Sequence, residues 1–235
     1  MGVQGWKHMD NFLSLLQFSD GLFPAGAYAH SFGLESCVQS GAVADAEGVE
    51  QFLRAYLAGS AAPTDLVAML CARKDARAAD LAACISMDET LDAMKSASEL
   101  RDASRQMGRQ TLRVATRLTS DPMLAEYAAA VAAELSPCHH AIVFGIIGAA
   151  MGWPAPEMAG AYLYSASAAM AGAALRLLPL GQLAGQRILW NMRPLIEQLA
   201  EEALNKMRDD LWSFAPVLEI ASMRHARLEA RLFRS

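Results

Sequence analysis

Two glycines in "GLFPAGAYAHS" (Gly21–Ser31) match the outer frame of a phosphate-binding loop, G-x-x-x-x-G-K-[ST]. In such a loop, backbone N–H groups cradle the phosphates, a lysine reaches the outer ones and a hydroxyl ligates Mg²⁺. Here the two closing positions are Ala27 and Tyr28, so the cation and the hydroxyl are both missing, and Pro24 removes one N–H donor. Nucleotide binding is therefore not expected. "AHSFG" (Ala29–Gly33) has the outline of a nucleophile elbow centred on Ser31, but that turn needs a buried strand before the serine and a parallel sheet around it. A proline-containing loop precedes Ser31 instead. Cys138, His139 and His140 in "PCHHA" are metal-ligand types, yet adjacent histidines diverge by about 100° on a helix. We expect a histidine pair capping a buried helix, no metal site, no stably bound cofactor and no catalytic residue. The alternative is a helical metal-dependent hydrolase using His30, His139 and His140.

The elements that must position these residues read as helices. Ala, Leu and Met are abundant, and Gly or Pro falls mostly between periodic segments. Helices are predicted over Asp10–Gln17, His30–Gln39, Asp45–Ala58, Asp65–Ala76, Ala79–Met87, Glu89–Leu118, Pro122–Leu135, His139–Met151, Glu157–Leu178, Gly181–Met192, Pro194–Lys206 and Pro216–Arg227. The expected fold is all-α, a single-domain bundle of about ten helices over residues 1–235. "HHAIVFGIIGAAMG" is apolar all round and is the candidate central helix, with Gly145, Gly148 and Gly152 admitting close neighbours. Arg101, Arg105, Arg109, Arg113 and Arg117 recur every four residues, a stripe roughly 24 Å long, read as a solvated face paired with Glu99, Asp102 and nearby acids.

With 54% hydrophobic and only 19% charged residues, the chain has an ample core and apolar surface to spare, which favours a partner-bound protein. A formal charge of −5 argues against nucleic acid or an anionic membrane as partner. Cys37, Cys71, Cys84 and Cys138 form no C-x-x-C pair and read as free thiols of a cytoplasmic protein. The N-terminal stretch lacks the apolar core of a signal peptide, and the charge-free run Met158–Leu175 is rich in Ala, Gly and Ser and reads as a buried helix.

In full, "LLQFSDGLFPAGAYAHSFGLE" (Leu15–Glu35) closely resembles the signature of the urease accessory protein UreF family. "ELRDASRQMGRQTLR" looks like that family's central helix, "HHAIVFGIIGAAMG" like its glycine-rich buried helix, "AALRLLPLGQ" like its Arg-Leu-x-Pro-Leu-Gly-Gln segment and "RLFRS" like its terminal pentapeptide. Phe18 and Phe23 stand where smaller residues are common, and "MRHARLEARLFRS" is more basic than expected. The resemblance implies a homodimeric, non-catalytic scaffold that joins UreD (also called UreH), the GTPase UreG and the urease apoprotein. Nickel and GTP would be handled by that complex. Partner contacts are then expected from Pro24, Gly26, Tyr28, His30, Ser31, Gly33 and Glu35, and from a tail over 228–235 carrying Arg231, Leu232, Phe233, Arg234 and Ser235.

Arg176 is the lone charge in an apolar neighbourhood, grouped with Pro179, Gly181 and Gln182 as a structural set. It is expected either to bond carboxylate or backbone oxygens inside the fold or to reach solvent. The tail is expected to be loose when free, with Arg231 packing near Tyr28 once UreD is bound. The competing expectation is that Leu232 and Phe233 fold back onto the chain's own core.

Overall fold

The computed structural model describes residues 2–228 and 230–234, with side chains from residue 9 onward. Among the described residues there are eleven α-helices and no strand. They are α1 (Gly2–Ser19), α2 (Leu34–Gln39), α3 (Ala46–Tyr56), α4 (Val67–Arg77), α5 (Leu81–Met94), α6 (Ser98–Leu118), α7 (Pro122–Ala132), α8 (His140–Ala150), α9 (Ala155–Leu177), α10 (Gln182–Ala203) and α11 (Pro216–His225). Three starts share one device. Asp45, Asp80 and Asp121 each accept the backbone N–H three residues on, from Gly48, Ala83 and Leu124, and Pro122 opens α7 where its missing donor costs nothing.

Helix α8 is the axis. Eight consecutive residues, Ala141–Gly148, are buried, and α4, α5, α6 and α7 surround them. Glycines set the spacing. A Cβ on Gly145 would fall on the Met69 carbonyl of α4, one on Gly148 on the Met158 sulfur of α9, and one on Gly108 of α6 on the Cys138 carbonyl. Gly152 has a different task. With φ of 68° it ends α8, and the Trp153 N–H turns back to the Gly148 carbonyl at 2.9 Å.

Four predicted boundaries change, two of them for long-range reasons and two for local ones. The helices expected over Asp45–Ala58 and Asp65–Ala76 are one continuous helix, Ala46–Arg77, joined by the π-helical segment Leu57–Leu66. Pro63 lies in that segment. It has no N–H to give the helix, and two carbonyls of the segment are held from outside it: the Phe214 N–H donates to the Gly59 carbonyl at 2.9 Å and the Trp212 N–H to the Pro63 carbonyl at 3.3 Å. This helix is long and apolar enough to cross a membrane, but most of its apolar window is buried inside the bundle. The break expected at residue 88 moves to residues 95–97, where Lys95 leaves the helix to pair with Asp65 at 3.0 Å and Arg101 caps the Lys95 carbonyl. Pro194 does not divide α10. It lies on the exposed face, so the acceptor it leaves unbonded faces water. The helix expected from His30 begins only at Leu34, because Phe32 and Gly33 both have positive φ, 51° and 87°.

Asp88 explains why α5 continues. Its carboxylate is fully buried and accepts the Tyr127 hydroxyl (2.8 Å), the Ser136 hydroxyl (2.6 Å) and the backbone N–H groups of Cys138 (2.6 Å) and His139 (2.9 Å). One side chain thereby fixes α7 and the start of α8. The four cysteines are free thiols.

The glycine spacing predicts two opposite outcomes. Gly145→Val should cost about 3 kcal/mol in urea unfolding, since a side chain there overlaps α4 backbone. Gly160→Ala, where no heavy atom lies within 4 Å of the new methyl, should gain about 0.5–1 kcal/mol by helix propensity.

Candidate partner-docking site

The loop between α1 and α2 turns twice through left-handed glycines. Gly26 (φ 88°) enters the short 3₁₀ turn Ala27–Ala29, and Gly33 (φ 87°) enters α2. Gly33 has a second reason to be glycine: a Cβ would lie 3.1 Å from the Ser222 backbone nitrogen of α11. The loop displays Pro24 and Tyr28, the latter 69% exposed. It does not display His30, Ser31 or Glu35, which are buried, so the expectation of one outward-facing set is corrected. Burial, then the positive charge of Arg234, pushes the His30 pKa down to about 4.

Glu35 is the centre of the buried set. At 2% exposure its carboxylate accepts the backbone N–H groups of Leu232 (2.7 Å) and Phe233 (3.1 Å) and faces His225 Nε2 at 2.8 Å. Burial pushes its pKa up, but the Leu232 N–H, His225 and the Phe233 N–H outweigh that and hold it below the ordinary value. His225 Nδ1 in turn faces Glu99 Oε2 at 3.0 Å, and Glu99 also pairs with Arg231 at 3.4 Å. Each ring nitrogen of His225 lies within hydrogen-bond distance of a carboxylate. The array thus ties α2, α6, α11 and the tail together.

The tail is packed, not loose. Phe233 is 4% exposed and joins the core, whereas Leu232 is 60% exposed. The Arg234 N–H donates to the Ala29 carbonyl at 2.8 Å, and Gln39 holds the Ala230 carbonyl at 3.1 Å. In the isolated chain Arg231 is not beside Tyr28, because Glu99 and the Ala226 carbonyl (3.1 Å) take its guanidinium. Phe233 approaches Tyr28 instead, through Arg176. That guanidinium stacks 3.7 Å from the Tyr28 ring centre and 4.1 Å from that of Phe233, and donates to the Tyr28 carbonyl at 2.8 Å. Pro179, Gly181 and Gln182 form the exposed α9–α10 turn, where Gly181 caps α10 and accepts from the Ala184 N–H at 2.9 Å. Ser235 lies outside the described residues.

Beneath the loop is a cavity of about 210 Å³ lined by Tyr56, Asp65, Lys95, Ser104, His140 and Tyr162, among others. His140 stacks on Tyr162, and burial lowers its pKa to about 4. His139 is outside that lining, with Nδ1 3.0 Å from the Ser104 hydroxyl and Nε2 2.9 Å from Asp92. Arg105 holds the same Asp92 oxygen at 2.7 Å, so the array clamps α5, α6 and α8. Among the described residues no three His, Cys, Asp or Glu side chains gather where they could hold a metal ion. His225 and Glu99, central to the tail's hold, escaped sequence reasoning, since their contacts span 190 and 126 residues and follow no local pattern.

Two outcomes follow. Glu35→Ala leaves His225 and two tail N–H groups without their acceptor and should cost about 3–5 kcal/mol, with the tail becoming the first segment cut by a protease. For pH, His30 titrates near 6.5 when unfolded and near 4 when folded, so the unfolded chain binds more protons between those values and stability falls as pH drops through that window. Melting temperature should decline from pH 7 to pH 5, and a flat profile would contradict the burial of a neutral His30. The depressed Glu35 adds a further loss at lower pH, as it takes up its proton.

A family model described as UreF matches residues 43–193. The urease accessory protein UreF of Bacillus sp. (strain TB-90) is 33% identical over 227 residues, covering 97% of this chain and 100% of that protein. The urease accessory protein UreF of Arthrobacter sp. (strain FB24) is 34% identical, covering 95% and 96%. That of Nostoc sp. (strain PCC 7120 / SAG 25.82 / UTEX 2576) is 34% identical, covering 96% of each. With the helical bundle, the glycine-turned loop and a matching length in each relative, the chain belongs to the UreF family of urease accessory proteins.

Proposed function

We propose that this chain is a non-catalytic scaffold in urease maturation, joining UreD (UreH) and the GTPase UreG on the urease apoprotein so that GTP hydrolysis is coupled to nickel insertion. It works in the cytoplasm as a homodimer and binds neither nickel nor GTP stably by itself. The observation that carries this reading is the apolar surface left uncovered on the single chain. On α1, Met9, Phe12, Leu13 and Leu16 follow the i, i+3, i+4, i+7 pattern of a buried helix face, yet each is at least 50% exposed. At the other end of the chain Trp212, Phe214, Val217, Ile220 and Met223 are 48–76% exposed on and just before α11. Two such stripes exceed the scattered exposure of an ordinary monomer surface and mark contact faces.

The second face adjoins the charged array through α11, which carries His225 at its end. A partner seated there would also meet Leu232, the exposed neighbour of the buried Phe233. The exposed tail residue Leu232 and the exposed loop residues Pro24 and Tyr28 are read as part of that partner surface. The recruiting function needs no reactive group, which agrees with a phosphate-loop frame lacking its lysine and hydroxyl.

Co-purification of the chain with UreD, UreG and urease apoprotein tests the reading. Wild type should form a complex of all four components and raise urease activity when nickel and GTP are supplied. Leu13→Asp with Leu16→Asp should remain folded, since both side chains are exposed, and lose at least one component, by about tenfold or more in affinity. A wild-type chain that captures none of the three would overturn the scaffold function.

A further inference from the structure

The arginine stripe of α6 separates into two parts. Arg101 donates to the Lys95 carbonyl at 3.1 Å, and Arg105 holds Asp92 and reaches Asp102 at 3.8 Å, so both belong to the fold. Arg109, Arg113 and Arg117 are exposed, and their guanidinium groups make no ion pair or hydrogen bond among the described residues. The expected pairing with neighbouring acids stops at Asp102. From Gln106 to Ser120 the sequence holds no Asp or Glu at all, in a chain where acids outnumber bases 25 to 20.

Solvated helix faces ordinarily mix signs, because like charges four residues apart repel along the helix. Arg117 gains something from the negative end of α6, but Arg109 and Arg113 lie more than a turn from it. The opposite face is rigid: Gly108 is pressed on the Cys138 carbonyl, and Thr111, Leu112 and Ala115 are buried. Three guanidinium forks are thus held on a fixed rod about 6 Å apart, a spacing that matches carboxylates at i and i+4 on a facing helix. Leu118, 53% exposed, adds an apolar contact at the end of the row.

We propose that Arg109, Arg113, Arg117 and Leu118 form a docking face for an acidic helical segment of a protein partner, distinct from the apolar faces on α1 and α11. The assignment of that partner to the maturation complex rests on the scaffold reading; the chemistry of the face does not. Nucleic acid is disfavoured, since the chain as a whole is acidic and three contacts give little counterion release.

The test uses the full chain and two variants, R109E/R113E/R117E and R109K/R113K/R117K, both expected to melt within about 2 °C of wild type because the side chains are exposed and unpaired. The first probe is a synthetic helical peptide with glutamates at every fourth position, measured by fluorescence anisotropy at about 50 mM and about 300 mM salt. Wild type should bind it at least tenfold more tightly than a peptide of the same composition with the glutamates scrambled, and lose most of that affinity at the higher salt. The glutamate variant should not bind, and the lysine variant should bind more weakly, lacking the fork. Equal affinity for the two peptides, or tighter binding to a DNA duplex of equal charge, overturns the proposal. The second probe is assembly with UreD, UreG and urease apoprotein. If wild type assembles, the glutamate variant should drop one component; if it captures all of them like wild type, the face has no part in that complex and the proposal fails. If wild type captures none, the scaffold reading falls while the peptide result alone decides the docking face.

Discussion

A carboxylate buried as deeply as that of Glu35 must be matched donor by donor, and the donors it finds come from the far end of the chain. Leu232 and Phe233 supply backbone N–H groups and α11 supplies His225, so residues near the start of the sequence are closed by residues near its finish. Removing any partner leaves an uncompensated charge in a dry site, a larger loss than an exposed pair could cause. The rest of that corner inherits its geometry from this requirement. Gly33 must stay bare so that α11 can approach α2, and Phe233 must enter the core beside Arg176. Arg176 then lies over Tyr28, which leaves the tyrosine exposed but fixed.

The centre of the molecule obeys the same rule with another carboxylate. Asp88 gathers four donors from α7 and the entry to α8, and the apolar surface of α8 closes over the result. Glycine and polar pinning divide the work: Gly108 and Gly145 bring backbones close, Gly148 makes room for the Met158 and Trp153 side chains, and Asp88, Asp92 and His139 fix where along the helices they meet. Such networks add specificity of register more than net stability, since every buried polar atom first has to be desolvated.

This division explains what could be read from the sequence. The central helix, the Asp121–Pro122 start and the turn before α10 are local in origin, encoded by apolar runs, caps and prolines within a few residues. The end of α5 is not local. No Gly or Pro lies between Glu89 and Met107, and at the break Lys95 turns out of the helix to meet Asp65, thirty residues earlier. The π-helical passage through Pro63 likewise depends on Trp212 and Phe214 donating to carbonyls on it, contacts of about 150 residues' separation. In the site, loop residues were legible as a group, but their exposure was not: His30, Ser31 and Glu35 look like polar display residues until α11 and the tail cover them.

The tail's hold has a consequence for how a partner could use it. Fixing five residues costs on the order of 1–2 kcal/mol each in backbone entropy. Against this stand one buried ring stacked on Arg176, two hydrogen bonds to Glu35, one from Arg234 to Ala29, one from Gln39 to the Ala230 carbonyl, one from Arg231 to the Ala226 carbonyl and a half-exposed pair between Arg231 and Glu99. Apart from Phe233 and the bonds to Glu35, these contacts lie at the surface, where local opening costs less than it does for Glu35 and His225 beneath. A partner need supply only a modest differential contact, on Leu232 or on the neighbouring α11 face, to strengthen the closed arrangement or to exchange Arg231 from Glu99 to another carboxylate. The buried array therefore acts as a fixed seat, and the tail above it as the adjustable surface.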